Sequence, residues 1–111
     1  MFKKEINPYS VADKAIFRNV DKTLTLYVRA DASGLVVRLK KAQDMLKMVS
    51  DDSTEAERLE AARSFASAVF GDKQAGQLVE FYGDPIAIIS AVGIYFDKQL
   101  KYKITKAQKR K

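Results

Sequence analysis

Residues 84 to 108 read DPIAIISAVGIYFDKQLKYKITKAQ, and the fold turns on how that stretch is taken. Asp84 can accept hydrogen bonds from the free amides of a helix start, and Pro85 at the first helical position forfeits no bond. At about 100° per residue, Ile86, Ile89, Gly93, Phe96, Leu100, Ile104 and Ala107 fall in one narrow stripe, which predicts a helix over 85–108 with that stripe on the core. Ile88, Val92 and Tyr95 lie roughly opposite, and Tyr102 follows further along toward their side. A helix that is apolar on two sides has to be covered on two sides. Either it runs through the middle of the domain, or its second face meets a partner helix. Ile88, Val92, Tyr95 and Tyr102 are therefore the candidate partner-binding residues, the tyrosines because a phenol suits a partly wet interface.

Upstream of Asp84 the punctuation is regular. Gly83 stops a helix over 72–82 that carries Ala75, Leu78, Val79 and Tyr82, and Asp72 can cap its start. Gly71 ends a longer helix over 54–70, opened by Thr54 with Glu57 three residues on, the signature of a capping box. Its apolar positions are Leu59, Ala62, Phe65, Ala66, Val69 and Phe70. A polar break at 50–53 separates it from a helix over 34–49, in which Leu35, Leu39, Ala42, Leu46 and Val49 recur every three or four residues behind a cap at 31–34. From Thr23 to Ala30, apolar Leu24, Leu26, Val28 and Ala30 alternate with Thr23, Thr25, Tyr27 and Arg29, which is strand periodicity. The expectation is a mainly α fold of four helices, with one strand or a small β-hairpin over about 15–30, turning around Asp21-Lys22. Residues 1 to 22 carry little pattern and read as a flexible or peripheral segment, and 105–111 as a frayed basic tail.

The chain has 111 residues, 47% hydrophobic and 31% charged, enough for one domain with a core. It has no cysteine, so no disulfide framework and no thiolate metal site, and a reducing compartment is the simplest reading. The run from Pro85 to Phe96 is the longest without a charge and falls well short of the roughly 20 residues that cross a membrane. No signal-peptide pattern opens the chain. A soluble, cytoplasmic protein is the expectation.

Histidine is absent too, which removes the commonest general base and metal ligand. Carboxylates alone would have to do any chemistry. Asp51, Asp52, Glu55 and Glu57 lack the glycine-centred spacing of a calcium loop and suit a helix start. Asp84 with Glu80 is explained by capping and surface charge, and the glycines at 71, 76, 83 and 93 match no phosphate-binding spacing. No enzyme activity, cofactor or metal is expected.

The net charge of +6 sits at one end. Lys98, Lys101, Lys103, Lys106, Lys109, Arg110 and Lys111 fall within the last fourteen residues, and the rest of the chain is nearly neutral. These side chains point several ways around a helix with no interleaved aromatic set, a poor match to a nucleic-acid groove binder. They suit solubility, the helix dipole or docking to an acidic protein surface.

The block Phe81-Tyr82-Gly83-Asp84-Pro85, then Ile88-Ile89, Tyr95-Phe96-Asp97-Lys98-Gln99-Leu100 and Ile104-Thr105-Lys106-Ala107-Gln108-Lys109, resembles small phage and prophage tail assembly chaperones. The likeness spans about residues 23 to 111 and is best in the last thirty. It implies a virion-morphogenesis factor of the host cytoplasm that shields apolar segments of the tape-measure protein, recruits tail-tube subunits and leaves before the tail is complete. A nucleic-acid-binding accessory protein acting through the basic tail is the second reading, and a structural tail component retained in the virion the third. Homo-oligomerisation stays open.

Overall fold

The computed structural model describes residues 9 to 109. The fold is mainly helical, with an antiparallel β-hairpin at its N-terminal side. Strand β1 (Ser10–Asn19) pairs with β2 (Lys22–Asp31) in a register running from Ser10 opposite Asp31 to Asn19 opposite Lys22. Helices α1 (Ala32–Lys47), α2 (Glu55–Phe70), α3 (Asp72–Tyr82) and α4 (Pro85–Tyr95) follow. A π-helical turn at Phe96–Leu100 then leads directly into α5 (Lys101–Gln108). Helix α2 is central, packed against α1, α3, α4 and β2, while α5 returns to lie against α1 and β1.

Local chemistry sets the helix ends. The Asp31 carboxylate accepts from the Gly34 amide at 3.0 Å and starts α1. At α2 both bonds of the capping box are made, Thr54 N to Glu57 Oε1 at 2.7 Å and Glu57 N to Thr54 Oγ1 at 3.1 Å. Gly83 closes α3 with φ +72°, the left-handed cap that glycine alone adopts freely. Asp84 accepts from the Ile86 amide at 3.3 Å behind Pro85 at the head of α4.

The hairpin is longer than the sequence pattern suggests. Residues 10 to 22 are not peripheral, because Val11, Ala15 and Phe17 join Leu26 and Val28 on the face turned to the helices and are buried. The expectation for residues 1 to 8 lies outside the described residues. Phe17 meets Phe70 edge-on at 5.7 Å and Tyr95 at 6.1 Å, and Phe70 stacks on Tyr95 at 5.7 Å, so aromatic rings join hairpin, α2 and α4. Gln74 of α3 reaches the outer edge of β2, where its Oε1 accepts from the Tyr27 amide at 2.8 Å and its Nε2 donates to the Tyr27 carbonyl at 2.7 Å.

The segment 85–108 is helical throughout, but it does not keep one α register. In the π turn, the Lys101 amide donates to the Phe96 carbonyl five residues back. One additional residue in a turn rotates everything beyond it by about 100°. The buried positions consequently run Ile88, Val92, Tyr95, then Leu100, Ile104 and Ala107, with a step of five across the turn. The stripe from Ile86 to Ala107 is fully buried only in its second half, from Leu100 on; Ile89 and Phe96 are half-buried against the core, and Ile86 is 71% exposed. The frayed tail is corrected likewise: α5 is helical through Gln108 with Ile104 and Ala107 buried, while Arg110 and Lys111 lie outside the described residues.

Candidate partner-binding surface

Of the four residues singled out on the last helix, three are core. Ile88 and Val92 are completely buried, and Tyr95 is 6% exposed, with its hydroxyl donating to Asp13 Oδ2 at 2.7 Å. The π turn explains the exchange, since it brings the face bearing Ile88, Val92 and Tyr95 into line with Leu100 and Ile104. A partner cannot reach these residues in the folded chain. Tyr102 is 68% exposed and lines a shallow groove with Ser10, Ala12 and Lys106.

Lys98, Lys101, Lys103, Lys106 and Lys109 are all exposed. Lys103 is also committed within the fold. Its ammonium donates to Asp13 Oδ1 at 2.8 Å, so Asp13 holds α5 and the end of α4 to the hairpin through one carboxylate. Burial alone would raise the pKa of Asp13. Hydrogen bonds from Lys103, Tyr95 and the backbone of Lys14, with the charge of Lys103, outweigh it and hold the carboxyl below its ordinary value. Burial first, then the hydrogen bond and charge of Asp13, hold the Tyr95 phenol far above the usual range. This cluster ties the hairpin to α4 and α5, with Lys103 reaching Asp13 from the solvent side.

Exposed apolar side chains gather elsewhere, where the ends of α1, α2 and α4 meet. Met45 and Met48 at the end of α1, Val49 and Ser50 in the following loop, Ala56 and Ala61 of α2, and Pro85, Ile86 and Ile89 of α4 line two open grooves of about 420 and 430 Å³ that meet at Val49. Met48 is 82% exposed, Ile86 71% and Met45 41%. The loop that shapes this corner is held from below by Arg58, whose guanidinium donates to the carbonyls of Ser50 at 3.2 Å and Asp51 at 3.0 Å. Exposed apolar side chains gathered in one place mark contact surfaces, whereas scattered ones need no explanation. Helix α4 contributes because it carries no charge on any face, and its outward positions Ile86, Ser90 and Ile94 stay in water. The sequence did hint at the corner: Met45 and Met48 are the two internal methionines of the chain, and they sit off the stripe of Leu39, Ala42 and Leu46.

Among the described residues, no group of three or more acidic side chains is placed to hold a metal ion, and no helix is long and apolar enough to cross a membrane. No protein-family model, curated protein or solved structure matches the chain.

Proposed function

We propose that this chain is a non-enzymatic protein-binding factor of phage tail morphogenesis, which covers apolar segments of a tape-measure protein until the tail is assembled. The observation that carries the reading is the corner formed by Met48, Val49 and Ile86, where apolar side chains from α1, its following loop and α4 gather in contact with water. The resemblance of the block from Phe81 to Lys109 to tail assembly chaperones supplies the identity of the client. Tail-tube subunits are the second expected partner, and the exposed lysines of α5 suit an acidic surface on them.

Co-expression with a tape-measure protein tests this reading. The chain is expected to keep that protein in the soluble fraction, and Met48→Asp with Ile86→Asp is expected to abolish the effect while leaving the helical circular dichroism unchanged. Both positions are exposed, so the double variant folds. A client equally soluble with and without the chain, or equally soluble with wild type and double variant, would sink the proposal. Virion proteomics separates the chaperone from a structural component, because a chaperone is absent from the finished particle.

A further inference from the structure

We infer that the Met48 corner receives an amphipathic helix whose apolar stripe is bordered by lysine or arginine on the side that lies over α2. The inference rests on the reading of this corner as protein-binding and specifies the chemistry of the segment bound.

Three observations point to that occupant. First, the two grooves share Val49 as a common wall and are lined by apolar side chains from α1, α2 and α4, the kind of surface that takes the apolar face of an amphipathic helix. Second, the exposed side chains at the centre are methionines, whose unbranched, polarizable thioethers adapt to varied apolar partners. Third, the segment that builds the corner is acidic, whereas the chain as a whole is basic. From Asp44 to Glu60 there are six acids (Asp44, Asp51, Asp52, Glu55, Glu57 and Glu60) against Lys47 and Arg58, a local net charge of −4 in a chain of +6.

That excess is not spread evenly. In the groove between Met48 and α2, Glu57 and Glu60 are the charged lining residues and both are acidic. Glu60 has Arg63 at 3.8 Å as a loose neighbour, with both side chains about half exposed. Across the shared wall, the groove against α4 holds one charge of each sign, Asp51 and Arg58. Lys47 stands near Asp44 at 3.9 Å on the solvent side of α1. A bound helix therefore meets a negative border over α2 and a nearly neutral one over α4. Charge complementarity of this kind sets the partner's orientation and rate of approach more than raw affinity.

The test uses the full chain and three fluorescein-labelled helical peptides of about 18 residues, long enough for five turns. All carry one leucine stripe, flanked by lysine, glutamine or glutamate. Fluorescence anisotropy is expected to show the lysine peptide binding about tenfold or more tighter than the glutamate peptide, a gap that closes at high salt. Glu57→Gln with Glu60→Gln, which keeps a side chain able to complete the capping box, is expected to shrink the gap severalfold and leave the glutamine peptide unchanged. Met48→Asp is expected to weaken the lysine and glutamine peptides.

A glutamate peptide that binds as well as the lysine peptide, as the net +6 of the whole chain favours, would overturn the charge assignment. If Met48→Asp still weakened binding, the corner as a protein-binding site would survive that result. Binding indifferent to Met48→Asp would overturn both. Sedimentation showing that the chain alone self-associates through the corner, with peptide and self-association in competition, would give the site to a second copy and overturn the inference.

Discussion

Ile86 and Ile88 are two residues apart on one helix and of identical chemistry, so replacing each with alanine isolates the effect of position. Ile88 is completely buried and Ile86 is 71% exposed. An isoleucine-to-alanine change removes three carbons, worth about 0.8 kcal/mol each when fully buried, and the unfilled space adds about one more, giving roughly 3.5 kcal/mol at Ile88. At Ile86, less than a third of the same side chain is out of water and no cavity is left, so about 0.7 kcal/mol is expected. The gap of about 3 kcal/mol is a large part of the stability of a domain this size. With a shift of about 4 °C in Tm per kcal/mol, thermal unfolding followed by far-ultraviolet circular dichroism should show a fall of about 14 °C for Ile88→Ala and about 3 °C for Ile86→Ala. If the helix ran in one α register with the Ile86 stripe inward, the order would reverse. Equal shifts, or a larger one at Ile86, would refute the π turn as the device that selects the buried face.

Two further outcomes follow from single residues. Val20 occupies the first position of the two-residue hairpin loop with φ 58° and 98% of its surface exposed, a backbone state that costs a β-branched residue about 1–2 kcal/mol and glycine little. After allowance for glycine's extra unfolded-state freedom, Val20→Gly should raise the urea midpoint by the equivalent of about 0.5–1 kcal/mol, and a lowered midpoint would contradict the turn geometry. Asp13 has a folded pKa below its unfolded one, so its contribution is present above the ordinary carboxylate value and is lost as pH falls through the folded value. Stability of the wild type should therefore drop in the acid range below about pH 4, and Tyr95→Phe, which removes a hydrogen bond to the carboxylate, should cost about 1.5 kcal/mol at neutral pH and little once Asp13 is protonated. An equal cost at both pH values would show that the phenol contributes only packing.

The helix ends were legible in the sequence because their causes are local. Asp31, the Thr54 and Glu57 pair, Asp84-Pro85 and the two glycines at 71 and 83 act within three or four residues of where they stand. Strand β1 was half legible: in its inward series Val11, Asp13, Ala15, Phe17 the aspartate interrupts the apolar alternation. What settles Asp13 there are Tyr95 and Lys103, partners 82 and 90 residues away, and no short window contains them. The π turn was illegible for a different reason. Phe96-Asp97-Lys98-Gln99-Leu100 contains neither proline nor glycine, so nothing local announces the additional residue, although the presence of two apolar stripes on 85–108 did announce that both sides mattered. In the first half it is the stripe of Ile88, Val92 and Tyr95 that is fully buried, with Ile89 and Phe96 of the other stripe half-buried. The Met48 corner escaped because its side chains come from α1, the loop after it, α2 and α4, and the pattern exists only after folding.

The grip of Gln74 on Tyr27 has a consequence for how the chain behaves in company. A two-stranded ribbon has an outer edge on each side, and a row of unanswered amides and carbonyls invites another chain to continue the sheet. A carboxamide offers the same donor and acceptor as a peptide unit, so at the middle of β2 Gln74 stands where the next strand's backbone would lie. One side chain from a helix thus occupies the docking register of a third strand. At Tyr27, a third strand can pair with β2 only by displacing Gln74.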